Sequence, residues 1–226
     1  LLNENEKKLI KEYALEQEWN HQYVFAEGVR TREKDIASPG YNINKWQRLK
    51  PIIEKINPKD KTFLDVGCSD GYYSIQIAKI GAKNVHCQDL DSSRIKKARL
   101  AKKILDVKNV EFEVSDLYDM LASDQYDVIV CLGILHRVPD ILKCLELMCK
   151  IGKIVIVEFK TYKSEDDIFH DHGGKTKSNE FNKLYKTPSI QYIMNRFYEL
   201  GHKNIEVHED LQSTLNYPRT IVVARK

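Results

Sequence analysis

An alternation of short apolar runs with segments of helical periodicity constrains the fold of this chain most strongly, beginning at residue 62. Its central runs, such as VIV and IVIV, are apolar on both faces, which is typical of parallel strands covered by helices on both sides. The last two runs, NIEVHED and RTIVVAR, have no helix between them and predict an antiparallel edge hairpin. The pattern predicts an α/β fold with a central, mostly parallel seven-stranded sheet and helices on both faces.

The length of 226 residues favours one domain with appendages. We expect a helical and irregular N-terminal cap over 1–58 and the main domain over 59–226. A polar segment at about 160–187 predicts a lid-like insertion, with a surface loop as the alternative.

Composition excludes several classes of protein. The net charge of +3, from 36 basic and 33 acidic residues, is too balanced to indicate nucleic-acid binding by itself. No apolar run approaches the roughly 20 residues that a membrane span requires, and the acidic N-terminal segment does not resemble a signal peptide. We therefore expect a cytoplasmic protein without a membrane partner. The five cysteines have no metal-ligand spacing and are expected to be reduced thiols.

The sequence DVGCSDG directly follows the first predicted strand, at the place where open parallel sheets bind ligands. Gly67 and Gly71 allow a sharp turn and a close approach of the backbone to a ligand. Phosphate-binding patterns are missing from this sequence, and Asp65 and Asp70 flank the loop instead. Asp89 ends the second predicted strand, where a carboxylate can accept hydrogen bonds from ribose hydroxyls. These residues predict a nucleoside ligand with a cationic tail and no phosphate.

This stretch resembles the first motif of the class I methyltransferase family. The resemblance implies a Rossmann-like fold, S-adenosyl-L-methionine as cofactor and methyl transfer as activity; another nucleotide is the alternative ligand. It assigns the methionine end to the region of Asp65 and Gly67, the ribose to Asp89 and the adenine amino group to Asp116. The expected cofactor-binding residues are Asp65, Gly67, Cys68, Ser69, Gly71, Asp89, Leu90, Asp116, Leu117 and Leu132.

A narrower resemblance links NINKWQRLKPII, GILHRVPD and YPRTIVVA to the bacterial family that modifies the wobble uridine of tRNA by carboxymethyl transfer. Arg219 matches an arginine that this family uses against the carboxylate of an unusual carboxylated cofactor. The family's tyrosine before the histidine is missing from GILHR, where His136 stands in its place or one residue is absent. We therefore expect an ordinary methyl donor on a related scaffold.

His136 follows the fourth predicted strand and is the candidate general base for a hydroxyl acceptor, because an ordinary histidine pKa of about 6.5 suits proton removal. A structural histidine is the alternative. The expected substrate-binding residues are Arg137, Trp19, His21, Arg30, Tyr41, His170, His172, Tyr185 and Arg219. Trp19 and Phe25 can instead form only a hydrophobic clamp. His170 and His172 have no defined third partner, so no metal site is predicted.

The predicted activity is O-methylation of a small polar acceptor, in one version an anionic, phosphorylated or sugar-linked metabolite. The alternative is a methyl- or carboxymethyltransferase that acts on the wobble uridine of tRNA. A tRNA enzyme is expected to have an added binding domain or a concentrated basic face. Lysines here are scattered among acids, which favours the small molecule.

Overall fold

The structure is a computed structural model that describes residues 4–25, 30–31, 42–119, 125–172, 185–210 and 218–226. Its helices are α1 (Glu4–Leu15), α2 (Asn42–Ile56), α3 (Tyr72–Lys79), α4 (Ser92–Ile104), α5 (Ile141–Ile151) and α6 (Ile190–Glu199). Its strands are β1 (Thr62–Val66), β2 (Asn84–Asp89), β3 (Val110–Val114), β4 (Tyr126–Leu132), β5 (Gly152–Lys160), β6 (Phe169–Asp171), β7 (Lys186–Pro188), β8 (Asn204–Glu209) and β9 (Arg219–Arg225). Two 3-10 turns cover Leu117–Asp119 and Leu135–Arg137.

The larger sheet has seven strands in the order β3-β2-β1-β4-β5-β9-β8. The β1–β2, β2–β3 and β4–β5 pairs are parallel, and β9 runs antiparallel to both β5 and β8. This arrangement confirms the predicted mostly parallel sheet with an antiparallel edge hairpin.

The chain divides into two compact units, Leu1–Asp116 and Leu117–Lys226. In the first unit, α3 and α4 bury Ile75, Ile77 and Ile95 completely. In the second, β4 and β5 are fully buried at consecutive positions, as their unbroken apolar sequence predicts. The division of the chain into a cap over 1–58 and a main domain over 59–226 stays a prediction.

The segment at about 160–187 contains a small second sheet, in which β6 and β7 pair antiparallel. The sequence did not predict these strands, because each is three residues long and β6 is exposed throughout. Residues 173–184 of this segment lie outside the described residues. Whether the segment acts as a lid stays a prediction.

All five cysteines are buried and free, which confirms the expected reduced thiols. Burial raises the pKa of Cys68 and Cys87 far above the ordinary thiol value, and it raises the pKa of Cys149 to about 12. These side chains therefore act as small apolar groups in the core. Within the described ranges, no helix is both long enough and apolar enough to cross a membrane.

Gly71 lies at the N-terminal end of α3, in a tightly packed position. Its φ is +79°, and an added Cβ would lie 2.6 Å from ring carbons of Phe112 and 2.9 Å from the Cβ of Ala98. Gly81 is a matched control, because its φ is +102° but an added Cβ would meet nothing within 4 Å.

We expect Gly71→Ala to lower the free energy of unfolding by more than Gly81→Ala does. Both variants carry a positive-φ strain of about 1–2 kcal/mol. Only Gly71→Ala adds an overpacking cost of about 1–3 kcal/mol. Urea denaturation followed by circular dichroism measures the difference, and equal losses in the two variants would contradict this packing.

Candidate functional site

The β1–α3 loop, residues 67–71, is held to the end of β2 by its own backbone. The N–H groups of Gly67 and Cys68 both donate to the carbonyl of Gln88, at 2.8 and 2.9 Å. Gly67, Ser69 and Gly71 have positive φ angles of 72°, 55° and 79°. Ser69 is a non-glycine residue in the left-handed region, and such strained residues concentrate at functional sites. The loop is therefore a fixed turn at the carboxyl end of the strands.

The carboxylate of Asp89 is oriented by backbone donors. One oxygen accepts from the N–H of Ser69 at 2.8 Å, and the other accepts from the N–H of Asp91 at 2.9 Å. A carboxylate has about four acceptor sites, so further hydrogen bonds to ligand hydroxyls remain available. Ribose recognition by Asp89 stays a prediction that this geometry suits.

Asp65, the last acid of β1, is only 2% exposed. One carboxylate oxygen accepts a hydrogen bond from the hydroxyl of Ser74 at 2.5 Å. Burial raises the pKa of Asp65 to about 6, because desolvation outweighs the hydrogen bond. A nearby cation would therefore stabilise the charged form of this carboxylate near neutral pH.

Asp70 anchors the N-terminal segment to the loop. One oxygen of its fully buried carboxylate accepts from the backbone N–H groups of Asn20 and His21 at 2.7 and 2.9 Å, and the other contacts Nδ1 of the His21 ring. The hydroxyl of Tyr23 donates to the Asp70 carbonyl at 2.6 Å. Burial disfavours the charged form, but the interactions with His21 outweigh burial and lower the pKa of Asp70. The acid that the sequence suggested for a cationic ligand is thus bound to the chain's own histidine.

Trp19 lies in an aromatic cluster. Its ring centroid is 5.1 Å from that of Tyr23 and 6.1 Å from that of Phe25, and its Nε1 donates to the carbonyl of Ala14 at 2.7 Å. Trp19 is 5% exposed. These contacts have the geometry of the hydrophobic clamp that was the alternative for this residue, and substrate contact by Trp19 stays a prediction.

The other expected acceptor contacts of the N-terminal segment lie in different surroundings. The His21 ring stacks on Tyr72 with centroids 5.7 Å apart. Arg30 is exposed and forms an isolated antiparallel bridge with Val24. Tyr41 lies outside the described residues.

The remaining expected cofactor residues differ in exposure. Cys68 is 3% exposed, Leu132 is 9% exposed and Leu90 is 53% exposed. Asp116 and Leu117 are half-buried. The roles of these residues stay predictions.

In the second unit, His136 lies in the 3-10 turn after β4 and is fully buried. The backbone N–H of Lys160 approaches its Nδ1 at 3.5 Å, a long hydrogen bond. A neutral ring that accepts at Nδ1 has its proton on Nε2. To act as a base, Nδ1 of His136 must accept a proton and give up this hydrogen bond. The role of general base stays a prediction.

Glu158 and Arg219 form a partly buried ion pair between β5 and β9. Nη1 of Arg219 donates to both carboxylate oxygens of Glu158, at 3.0 and 3.2 Å. Glu158 is fully buried, and it is the acid that the sequence reasoning missed. The two residues are 61 positions apart, so no local pattern shows the contact.

The backbone connects the candidate base His136 with two of the expected substrate-binding residues. The N–H of Tyr185 donates to the carbonyl of His136 at 3.1 Å, and the N–H of His172 donates to the carbonyl of Tyr185 at 2.9 Å. Nε2 of His172 lies 2.8 Å from the hydroxyl of Thr187, and the His170 and His172 rings are 4.6 Å apart. Among the residues that the structure describes, no group of three or more His, Cys, Asp or Glu side chains has metal-binding geometry.

Comparison with known proteins adds the family relationship. A family model described as "Methyltransferase domain" matches residues 57–206. A tRNA U34 carboxymethyltransferase of Campylobacter fetus is 29% identical over 197 residues, which cover 82% of this chain and 68% of that protein. A ubiquinone biosynthesis O-methyltransferase of Xanthomonas axonopodis is 31% identical over 115 residues, which cover 48% of this chain and 47% of that protein. The chain spans about half to two thirds of the length of the curated relatives that it matches.

A similar solved structure is the N-terminal domain of EvdMO1 in the presence of SAH and D-fucose. It has a TM-score of 0.76 and 18% sequence identity, and the match covers 97% of this chain and 96% of that domain. This likeness supports the fold.

The anchor at Asp70 yields a prediction for Asp70→Asn. The variant removes the charge that binds the His21 ring, so we expect a loss of about 1.5–3 kcal/mol in the free energy of unfolding. Hydrogen exchange at the Asn20 and His21 amides should accelerate in the same variant. Urea denaturation and exchange measured by mass spectrometry check the two effects.

Asp106→Asn is the control, because Asp106 is exposed and asparagine tolerates its positive φ of 49°. It should change the free energy of unfolding by no more than about 0.5 kcal/mol. Unchanged amide protection in Asp70→Asn would show that the segment is held by other contacts.

Proposed function

The chain belongs to the methyltransferase-domain family, and from this premise we propose that it methylates an oxygen atom of a small polar acceptor. Membership confirms the predicted class of enzyme, an S-adenosylmethionine-dependent class I methyltransferase with a Rossmann-like fold. The acceptor and the residues that bind it are proposals.

The β1–α3 loop is the observation that supports the methyl donor in this proposal. Asp65 and Asp89 place carboxylates beside a turn of fixed backbone, and this set of acids fits a cationic nucleoside better than a phosphate-bearing one. We assign the amino end of the cofactor to the region of Asp65 and Gly67, its ribose to Asp89 and its adenine to Asp116. S-adenosylmethionine supplies a methyl group that is already activated on a sulfonium.

The protein's own task is then to align the acceptor and to remove a proton from it. His136 is the proposed base, since it is the titratable side chain that follows β4 directly. Its Nδ1 accepts a long hydrogen bond from the backbone N–H of Lys160, so that nitrogen carries the lone pair that would take up a proton. Arg137, the next residue in the same turn, is proposed to bind the acceptor.

Two observations favour a small acceptor. Basic and acidic residues are nearly balanced over the whole chain, whereas RNA binding depends on concentrated positive charge. One matched relative is an O-methyltransferase of ubiquinone biosynthesis, and one structural neighbour is described with a sugar, D-fucose.

A tRNA wobble-uridine methyl- or carboxymethyltransferase is the second candidate. The similarity to tRNA U34 carboxymethyltransferases favours it, because it covers 82% of this chain in the Campylobacter fetus protein. The pairing of Arg219 with Glu158 favours the ordinary methyl donor, since the buried acid already offsets the charge that would bind a carboxylated one.

A labelled-methyl assay tests the proposed function. S-adenosylmethionine with a labelled methyl group is offered together with a panel of hydroxyl-bearing small molecules and, separately, with bulk tRNA. We expect label in small acceptors and none in tRNA. Label in tRNA alone would establish the second candidate in place of the first.

His136→Asn tests the chemistry in the same assay, because asparagine keeps an acceptor near the Nδ1 position but cannot take up a proton. Turnover should fall by about 10²–10⁴-fold, the usual contribution of a general base, while donor affinity stays unchanged. Full activity would place the base elsewhere or indicate an acceptor that is already ionised.

The raised pKa of Asp65, about 6, predicts a pH-dependent donor affinity. Below that pH the carboxyl is neutral and does not attract the donor's amino group, which stays protonated up to about pH 7.7. Calorimetry should show the Kd for S-adenosylmethionine falling as the pH rises from about 5 to about 7. Asp65→Asn should bind weakly at every pH, and Asp106→Asn should behave like the parent.

Stability should follow the opposite trend. Because the folded pKa of Asp65 lies above its ordinary value of 3.8, this group's contribution to stability is complete below pH 3.8 and is lost as the pH rises to about 6.

Donor affinity that does not change with pH in the parent would remove Asp65 from the cofactor site.

A further inference from the structure

Three cations of the second unit lie near the end of β5 or of β4 in the large sheet. Lys160 is the last residue of β5, and Arg219, the first residue of β9, is its direct partner in the strand register. Arg137 ends the 3-10 turn that follows β4. Because β9 runs antiparallel to β5, its start lies beside the carboxyl end of β5, which is where open α/β sheets bind their ligands. These residues, Arg137, Lys160 and Arg219, are called the basic cluster below.

The buried acid near the basic cluster pairs with Arg219. Glu158 is fully buried, and both of its carboxylate oxygens accept from Nη1 of Arg219. The ammonium of Lys160 has no ion-pair partner among the residues that the structure describes.

The surroundings of Lys160 make its charge costly. The residue is half-buried, burial lowers the pKa of its ammonium, and the positive charges of Arg219 and Arg137 lower it further. Burial lowers the pKa of His172, and the nearby His170 and Lys160 lower it further. A half-buried cation held beside other cations is stabilised when an anion binds between them.

We propose that Lys160 is the specificity-determining residue of the acceptor site, where its ammonium binds a carboxylate or phosphate group of the acceptor. Arg137 adds positive charge near the same place, Arg219 lies beside Lys160 with its own charge offset by Glu158, and the neutral His172 supplies a hydrogen-bonding ring. Lysine suits this role because its ammonium is a compact point charge on a flexible stem. The bound group is not the atom that is methylated, so Lys160 sets affinity and leaves the chemistry to other residues.

This inference rests on the proposed function in one respect, the identification of the bound molecule as the methyl acceptor. The anion site itself does not depend on the proposed function, because anion binding is measurable without a methyl donor. The two therefore fail separately: absence of donor binding in the parent removes the proposed function, and absence of anion binding removes the site.

Anion binding by the full chain is measured through the rise in thermal midpoint on titration with inorganic phosphate or with acetate, at constant ionic strength maintained with sodium chloride. We expect Lys160→Met to weaken binding of at least one of these anions about tenfold, the loss of one hydrogen bond to a charged group. Lys160→Arg should recover most of the affinity because it restores the charge. The anion with the Lys160-dependent affinity identifies the acceptor's group as a phosphate or a carboxylate.

Lys163→Met is the matched control, because Lys163 is exposed and lies three positions further along the chain. It should bind phosphate and acetate as the parent does. For each variant, the rise in thermal midpoint is measured relative to that variant's own midpoint without anion. A general loss of stability is thereby separated from a loss of anion binding.

Four outcomes would overturn the proposal. The first is that neither anion binds to the parent. The second is that Lys160→Met binds both anions as tightly as the parent does. The third is a loss of S-adenosylmethionine affinity in Lys160→Met without a change for phosphate or acetate, which would place Lys160 at the donor. The fourth is Lys160-dependent binding of bulk tRNA alone, which would make the partner an RNA.

In the methyl-transfer assay, the proposal predicts a split between two kinetic constants. For an acceptor with an anionic group, Lys160→Met should raise KM about tenfold and leave kcat unchanged. For the matching acceptor without that group, both constants should equal those of the parent. An equal rise in KM for both acceptors would contradict recognition of the anion.

Discussion

The conformation of the β1–α3 loop depends on the carbonyl oxygen of Gln88. This oxygen accepts two consecutive N–H groups, those of Gly67 and Cys68, and so fixes the first half of the loop to the end of β2. The second half is fixed by the N–H of Ser69, which donates to the Asp89 carboxylate. A chain that leaves β1 here has little conformational freedom, and the strained φ of Ser69 persists because these bonds hold it.

Three aspartates near this loop show how environment separates residues of one type. Asp65 is desolvated and has a raised pKa, whereas Asp70 is equally buried but has a lowered pKa because it faces His21. Asp89 is oriented by the backbone N–H groups of Ser69 and Asp91. Asp65 is suited to respond to a cation, Asp70 is a structural anchor, and Asp89 presents a hydrogen-bond acceptor in a fixed orientation.

The sequence predicted the regular part of the fold well because burial on both faces leaves an unbroken apolar run. β9 coincides with the predicted run RTIVVAR for this reason, and the loop after β1 was identified by its small residues. The β6–β7 sheet was missed because its short, exposed strands have no apolar signal. The pairs Asp70–His21 and Glu158–Arg219 were also missed, because contacts 49 and 61 positions apart are made by tertiary packing and not by a local pattern.

Because the cysteines are buried, their chemical modification can be used to detect transient opening of the protein. A thiol reagent reacts with the thiolate, and burial both hides these sulfurs and keeps Cys68, Cys87 and Cys149 protonated. Modification therefore requires a molecule that has transiently opened, and its rate depends on how often and for how long the molecule opens. Since Cys68 and Cys87 lie in the first unit and Cys131, Cys144 and Cys149 lie in the second, the labelled peptides reveal which half of the chain opened first.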